Sequence, residues 1–518
     1  MQILLGDPKF AISIALIFAS IILFHRRENA ALILLLLGTL IMRVWAAQLS
    51  PFLHMWDEQF HAVVAKNMTD NLLKPMLMPD VAPYSDKFTM WINGHIWLHK
   101  QPFFLWLMAI SMNLFGTSEF TVRLPTVVLG TLSVFATFQI GKHLFSKHTG
   151  FIAAVLMSTS YIFISLTTGM ETTDHNDAIF VSLITISFWF FSAYYKTRAR
   201  YWVYLVGLAV GCAMLTKWVT GLLVFAPWFI MVIRDWRNKR ALTDCLLALS
   251  VAAVIFLPWQ LYALINYTDI YLQELAYNTL HFYEIIEDHS GGSFFHIEHL
   301  QNLYFDISYY YIIAIALMSF LAVWFSTRNI NHLLITAFPI LFVYLFFTLA
   351  STKMMLFPFM VSALMYVVFS QLLIFSGKII FKWFSFPSVL WVVGVVLTGY
   401  LGYHNLRSNT IVEAHELNKT SDWSYHVMRT KERRDIEIMK KEIIEPGRKY
   451  IIFNTRPMSH PHFYFYTGIP SYDLIPNIEN LQQNIEEGYT VIMLRTSKIP
   501  EDILEMPGIV YYDFPYWN

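Results

Sequence analysis

Apolar residues occur along most of the chain in runs long enough to cross a lipid bilayer. The runs at 30 to 40, 203 to 215 and 389 to 401 carry no charge, and each lies in a segment close to the roughly 20 residues that span hydrocarbon. About 12 such segments are predicted, at residues 9–25, 29–49, 121–145, 150–168, 176–195, 201–216, 218–233, 241–264, 307–325, 331–350, 355–376 and 384–404. The pattern predicts a polytopic α-helical membrane protein with about 12 to 13 transmembrane helices.

A further apolar run, residues 102 to 115, is short for a full crossing. If it does not cross, all the connections rich in Lys and Arg fall on one face, which the positive-inside rule assigns to the cytoplasm. If it does cross, those connections are divided between the two faces. We therefore expect this run to be re-entrant or interfacial.

On this topology the outer face carries most of the unusual polar residues. It receives a first large loop at 50–120, a short loop at 169–176, a second large loop at 266–306, and the connection at 351–354. The second large loop has no Lys or Arg but seven acids and four histidines. This composition suits a bound cation or amine, and it also fits the expected shortage of positive charge outside.

The character of the chain changes to that of a soluble domain at about residue 405. A charged segment at 413–441 and a segment at 478–487 have helical spacing, and the runs at 450–453 and 490–494 are strand-like. We expect a transmembrane domain over 1–404 and a small extracytoplasmic α/β domain over 405–518.

Composition argues against some classes of function but does not identify one. Hydrophobic residues make up 56% of the chain, and 36 Lys and Arg balance 36 Asp and Glu, so the net charge does not favour nucleic acid as a partner. The two cysteines, Cys212 and Cys245, lie within apolar runs, which argues against a disulfide framework and a zinc-cysteine site and favours packing residues. The first apolar stretch has no cleavage signal, and we interpret it as a retained span.

Asp57 and Glu58 are the first candidates for chemistry, because they directly follow a hydrophobic span. Acids at a membrane boundary favour a functional role. One carboxylate can act as a general base on an acceptor, while the other positions it or binds metal. The alternative is an acidic pair that is merely solvated at the interface.

Four cations lie next to apolar runs: Lys100, Arg123, Lys353 and Lys217, the last of them between two apolar halves. Each can hold a phosphate oxygen, and each can instead anchor the chain at the headgroups. Together they suggest an anionic lipid as a ligand.

Acids also surround the start of the span at 176–195. Glu171, Asp174 and Asp177 lie there beside a histidine, and they can orient the lysines, bind metal, support an acceptor or cap the helix. Histidines in the outer loops are possible metal ligands, but none has a diagnostic spacing. No glycine-rich phosphate loop and no nucleophile elbow are present.

The order of these motifs resembles a known family. After Asp57-Glu58 come Lys100-Gln101-Pro102, Leu114-Phe115-Gly116 with Glu119, Arg123-Leu124-Pro125, Thr173-Asp174, the run Gly211 to Lys217, Leu257-Pro258-Trp259, and Ser351-Thr352-Lys353 with Pro358. Over about residues 50 to 360 this set is similar to the GT-C integral membrane glycosyltransferases. The branch it resembles contains the lipid A aminoarabinose transferase and the protein O-mannosyltransferases.

The resemblance implies a hexosyl or pentosyl transferase that uses a polyprenyl-phosphate sugar on the periplasmic side of a bacterial inner membrane. It implies Asp57 as the catalytic base of an inverting displacement, with Lys100, Arg123 and Lys353 near the donor phosphate. The acceptor is expected to be a lipid, a glycan or a protein.

Two departures from the family pattern concern metal and sugar. His99-Lys100-Gln101-Pro102 stands where the family usually has Glu-Lys-Pro-Pro, and Gly169-Met170-Glu171 stands where an arginine commonly precedes the Thr-Asp pair. The resemblance then makes His99 with His289 a candidate pair of ligands for a divalent metal. Two other classes of protein remain open. A transporter or flippase for a lipid-linked substrate predicts two related halves with broken helices, and a membrane scaffold predicts a binding role for the C-terminal domain.

Overall fold

The computed structural model describes residues 7–79, 91–92, 94–170, 174–380, 387–406 and 425–513. The chain divides into two compact units. The membrane unit comprises Met1–Ala47 and Leu124–Val412, and the loop unit comprises Gln48–Arg123 and Glu413–Asn518. This division differs from the predicted boundary between 404 and 405, because the first outer loop groups with the C-terminal segment.

Eight helical segments of the described residues are long and apolar enough to cross a membrane, or nine if a pair bent by 43° is one span. The predicted spans 201–216 and 218–233 form a single one of these segments, Tyr201–Arg234. The helices Pro8–Leu23 and Phe103–Phe115 are apolar but shorter. The prediction of a polytopic α-helical membrane protein is confirmed.

The membrane unit is built from α-helices and two short 3₁₀ helices. Its helices are Pro8–Leu23, Glu28–Ala47, Glu119–Leu144 (which starts in the loop unit), Lys147–Ser158, Tyr161–Thr168, Asp174–Thr197, Tyr201–Lys217, Trp218–Val224 (3₁₀), Phe225–Arg234, Lys239–Asn266, Thr268–Tyr283, Phe295–Glu298, Leu300–Leu303, Tyr309–Thr327, Ile330–Leu349, Phe357–Val361 (3₁₀), Ser362–Ile380 and Pro387–Leu406.

Small residues set the closest helix packing in this unit. A Cβ added at Gly207 would lie 2.5 Å from the carbonyl oxygen of Ala248, and one at Gly211 would lie 2.7 Å from Cβ of Ile255. In lipid the hydrophobic effect does not drive helices together, so association depends on close packing. Glycines four residues apart allow two helix backbones to approach closely. The Gly207 face is therefore where the helix Tyr201–Lys217 packs on Lys239–Asn266.

The loop unit contains a parallel three-stranded sheet with order β1-β2-β3. The strands are β1 Lys449–Phe453, β2 Tyr489–Leu494 and β3 Ile509–Tyr512, and the helices of the unit are Asp57–Asn67, Phe103–Phe115, Tyr425–Ile443, His460–Thr467, Ile478–Glu486 and Glu501–Leu504. The two predicted strands and the helix predicted at 478–487 are present to within one residue. β3 was not predicted, and residues 413–424 of the predicted charged segment lie outside the described residues.

Alternating strand residues build two apolar clusters, one on each face of the sheet. Ile451 and Val491 belong to one cluster with Leu481, while Ile452 and Ile492 belong to the other with Ile436. Because both faces are covered, the strands are apolar along their whole length, as expected for a parallel sheet. The C-terminal segment is therefore an α/β layer with its own core.

The helix Phe103–Phe115 packs inside the loop unit beside the Asp57 helix (Asp57–Asn67). The ring of Phe104 lies 4.7 Å from that of His61, and the indole of Trp106 donates to the carbonyl of Leu72 at 2.8 Å. Thirteen residues of helix are about 20 Å long, less than the roughly 30 Å of a hydrocarbon core. This length fits the prediction that the run does not cross.

Candidate active site

Asp57 is the first residue of the Asp57 helix, and its side chain is half-exposed. Trp56, directly before it, has φ 67° and ψ −131°, a conformation that large L residues seldom adopt. A negative side chain in the first turn of a helix interacts favourably with the positive end of the helix dipole. The local structure thus presents a carboxylate directly after a sharp change in chain direction.

Glu58 points into the loop unit, where its side chain is fully buried. Its Oε1 lies 2.6 Å from Nε of Arg123, and its Oε2 accepts hydrogen bonds from Nη2 of Arg123 at 3.1 Å and from the amide of His54 at 2.6 Å. Bidentate pairs of this kind are among the strongest charge-assisted hydrogen bonds. The two adjacent acids therefore have different environments, Asp57 half-exposed and Glu58 buried against a cation.

Arg123 is also fully buried. Besides Glu58 it donates from Nη1 to the carbonyl of Ser50 at 2.8 Å and from Nη2 to the carbonyl of Phe52 at 2.7 Å. The family resemblance predicts that Arg123 lies near the donor phosphate, which requires a guanidinium at an accessible surface. The structure instead places Arg123 inside the loop unit, because its donors serve Glu58 and the chain that leads to Asp57.

Lys100 is half-buried and lies three residues before the helix Phe103–Phe115. Its neighbour His99 is buried, with its ring stacked on that of Trp91 at 4.7 Å and edge-on to Trp97 at 5.7 Å. Lys100 thus belongs to the same unit as Asp57, whereas His99 packs among aromatic rings.

Asp177 and Lys217 form an ion pair in the membrane unit. Asp177 is buried on the helix Asp174–Thr197, and Lys217 is the last residue of its own helix, with the following Trp218 at φ 52°. The ammonium of Lys217 lies 5.7 Å from the ring centre of Phe357. The structure therefore brings together an acid and a cation that sequence analysis had singled out separately.

Lys353 is 5% exposed and donates to the carbonyls of Phe347 and Thr348, both at 2.8 Å. These carbonyls belong to the last turn of the helix Ile330–Leu349, where backbone acceptors lack partners within the helix. Burial lowers the pKa of the Lys353 ammonium. In this structure the side chain caps a helix, which differs from the predicted contact with the donor phosphate.

Two of the predicted outer loops are joined within the membrane unit. The amides of Ser351, Thr352 and Lys353 donate to the carbonyls of Phe282, His281 and His289 at 2.9 to 3.1 Å. The hydroxyl of Thr352 donates to the carbonyl of Glu284 at 2.8 Å. Residues 281–289 and 351–353 are therefore joined by backbone and side-chain hydrogen bonds.

The acids predicted before the span at 176–195 are only partly described. Glu171 lies outside the described residues, and Asp174 begins the helix Asp174–Thr197. The boundary agrees with the prediction that a helix starts at this point, and the predicted supporting roles of Glu171 and Asp174 stay predictions.

The metal site predicted at His99 and His289 stays a prediction. In the part of the chain that the structure describes, no three His, Cys, Asp or Glu side chains are grouped so as to hold a metal ion. His99 is enclosed by the indoles of Trp91 and Trp97. We therefore derive no step of the reaction through a metal.

Three further residues contact the chain before Asp57 and were not identified from the sequence. Tyr425, Arg429 and Tyr466 lie in the C-terminal part of the loop unit and bond to the backbone of Leu53 and Met55. Arg429 occupies a helix rich in charges, where one arginine looks like any solvated residue. Nothing in a single sequence distinguishes it.

The model of the dolichyl-phosphate-mannose-protein mannosyltransferase family matches residues 99–262. Over 181 residues the chain is 29% identical to the undecaprenyl phosphate-alpha-4-amino-4-deoxy-L-arabinose arabinosyl transferase of Pseudomonas paraeruginosa, covering 33% of this chain and 32% of that protein. The corresponding transferase 1 of Pseudomonas fluorescens is 30% identical over 162 residues, covering 30% and 29%. The match thus spans about a third of the length of these relatives.

Solved structures extend the likeness to most of the chain. The crystal structure of ArnT from Cupriavidus metallidurans bound to undecaprenyl phosphate has a TM-score of 0.59 at 13% identity and covers 90% of this chain and 86% of that one. The Archaeoglobus fulgidus oligosaccharyltransferase tethered with an acceptor peptide has a TM-score of 0.54 at 13% identity, covering 88% and 64%. The fold is accordingly that of the GT-C membrane glycosyltransferases. The resemblance to the lipid A aminoarabinose transferase branch is confirmed as a likeness, in sequence over about a third of the chain and in fold over most of it.

Proposed function

We propose that this protein is a GT-C glycosyltransferase that moves a sugar from a polyprenyl phosphate to a lipid, glycan or protein acceptor at the outer face of the bacterial inner membrane. The observation that carries the proposal is the likeness over 90% of the chain to a structure that binds undecaprenyl phosphate. The half-exposed carboxylate of Asp57, next to the buried acid Glu58, supports it from the chemistry of the site.

Asp57 is the proposed general base. It takes the proton from the acceptor hydroxyl or amine as that group attacks the anomeric carbon. The bond from this carbon to the phosphate oxygen breaks, the phosphate leaves with the electron pair, and the configuration inverts. Glu58 is fully buried and bonded to Arg123, so we propose that it fixes the first turn of the Asp57 helix instead of exchanging protons.

The leaving phosphate gains negative charge in the transition state, and a nearby ammonium stabilises that charge. Lys100 is the cation that we propose for this role, since it is half-buried in the same unit as Asp57. Lys217, paired with Asp177, is a second candidate that would exchange its partner for the phosphate. Arg123 and Lys353 are proposed to act as structural cations instead, because the structure gives their donors other partners.

A reconstituted assay tests the proposal. Purified protein in vesicles receives an undecaprenyl-phosphate sugar, and lipid extracts are analysed by mass spectrometry for free undecaprenyl phosphate and for a glycosylated acceptor. We expect both products to form in step. Movement of intact donor across the bilayer without its consumption would favour a flippase and contradict the proposal.

A further inference from the structure

The chain directly before Asp57 has no regular structure, so its backbone groups need partners from elsewhere. Two tyrosine hydroxyls from the C-terminal segment supply some of them. The amide of Met55 donates to Oη of Tyr425 at 2.8 Å, and the amide of Leu53 donates to Oη of Tyr466 at 3.2 Å. Tyr466 in turn donates to Oε1 of Glu119 at 2.8 Å, which fixes the orientation of its hydroxyl.

Arg429 reaches the same stretch from the helix Tyr425–Ile443. Its guanidinium is buried and donates to the carbonyl of Leu53 at 2.9 Å and to Oε1 of Gln59 at 3.2 Å. Glu432 Oε2 accepts a further bond at 2.6 Å, and Nδ1 of His462 lies 2.7 Å from Nη2. Arg429 therefore holds the chain on both sides of Asp57, two residues after it and four before it.

The other side of the stretch is held by the buried pair already described. Arg123 donates to the carbonyls of Ser50 and Phe52, and Glu58 accepts from the amide of His54. Between residues 50 and 55, the peptide groups are thus bonded by side chains from two directions. The positive φ of Trp56 is a conformation that persists only where surrounding contacts determine it.

We propose that Tyr425, Arg429 and Tyr466 are positioning residues for glycosyl transfer, and that the C-terminal segment serves the reaction by fixing the turn that presents Asp57. This role rests on the proposed function. It gives the C-terminal segment a task in catalysis that needs no contact with the sugar or its lipid. Because a displacement of about 1 Å at a reacting group can cost about 100-fold in rate, the effect should fall on kcat and leave binding of the donor nearly unchanged.

The test compares tyrosine-to-phenylalanine variants of the full-length protein in nanodiscs. Tyr425→Phe and Tyr466→Phe each remove one hydroxyl that accepts a hydrogen bond from a backbone amide of residues 53 to 55. Tyr450→Phe is the matched control, because the Tyr450 hydroxyl accepts from the amide of Glu445 and donates to the carbonyl of Ile443, away from Asp57. Hydrogen exchange of the peptide over residues 51–57 and the kcat and KM for the donor are measured for each variant.

We expect faster exchange at residues 53 to 55 and a loss of about tenfold or more in kcat for both test variants, with the donor KM within about threefold of the wild type. Tyr450→Phe should match the wild type in both measurements. Unchanged exchange, an unchanged kcat, or an equal loss in Tyr450→Phe would overturn the inference. A wild-type protein that fails to transfer sugar would contradict the proposed function, while the exchange data would still decide whether the contacts hold the turn.

Discussion

The guanidinium of Arg123 and the carboxylate of Glu58 form a bidentate ion pair with both side chains fully buried and 65 residues apart in sequence. The pair connects the start of the helix Glu119–Leu144 to the first turn of the Asp57 helix. The pair thereby fixes the position of Glu58, which directly follows the proposed catalytic base Asp57.

Removing one partner of this pair should destabilise the loop unit strongly. Glu58→Gln leaves a buried, uncompensated cation, and such losses cost about 3–5 kcal/mol. The partly exposed pair of Lys142 with Glu28 is the control, since Glu28→Gln should cost about 1 kcal/mol or less. Thermal unfolding in detergent measures both, and equal midpoints for the two variants would contradict the assigned role of the buried pair.

Acid should destabilise the loop unit through His462. Its ring is buried and faces Arg429, Arg433, His54, Glu58 and the ring of Tyr466. Burial, followed by the neighbouring arginines, lowers the pKa of His462 well below 6.5. Below about pH 6.5 His462 therefore binds a proton in the unfolded chain but not in the folded protein. The free energy of unfolding then falls as the pH is lowered.

A variant isolates this contribution. In His462→Asn the side-chain oxygen can replace Nδ1 as the acceptor for Arg429, and no group titrates. We expect the unfolding midpoint of the wild type to fall more steeply than that of the variant between about pH 6.5 and 5. Parallel curves would show that His462 does not control acid stability.

Lys100 and Lys353 should respond differently to the loss of charge. We expect Lys100→Met to raise the donor KM or lower kcat by about tenfold, because it removes the cation that we propose for the leaving phosphate. Lys353→Met should instead lower the unfolding midpoint, since it removes the donor to the carbonyls of Phe347 and Thr348. A kinetic defect in Lys353→Met with unchanged stability would restore Lys353 to the phosphate site.

Close helix packing in the membrane unit should depend on Gly207. A Cβ there would lie 2.5 Å from a backbone oxygen, so Gly207→Ala should cost about 1–3 kcal/mol through forced separation of the helices. Gly377, also within a helix, has nothing within 4 Å of an added Cβ, and Gly377→Ala should be neutral or stabilising. Thermal stability of the two variants in nanodiscs provides the comparison, and similar values would contradict the packing argument.

Helices and strands that are marked by an apolar run of their own were predicted from the sequence. The uncharged run at 203–215 predicted a helix found at Tyr201–Lys217, and the apolar runs at 450–453 and 490–494 predicted β1 and β2. β3 is a four-residue strand whose residues are only half-buried, so the apolar signal was too short to recognise.

Partners distant in sequence were not predictable in the same way. Asp57 was found as a candidate because two acids at the end of a span are unusual. The pairing of Glu58 with Arg123, and the contact of Arg429 with Leu53 across 376 residues, depend on folding that leaves no local trace. For the same reason a lysine next to a span could be identified as a cation at a boundary, but the helix cap formed by Lys353 could not be told from a phosphate contact.

Asp57 provides the most direct test of the account. Transfer from an undecaprenyl-phosphate sugar is measured in vesicles for the wild type, Asp57→Asn, Asp57→Glu and the exposed control Asp70→Asn. We expect Asp57→Asn to lose at least about 100-fold in kcat, Asp57→Glu to retain part of the activity, and Asp70→Asn to match the wild type. Full transfer by Asp57→Asn, in protein with unchanged thermal stability, would contradict the central claim that Asp57 is the base.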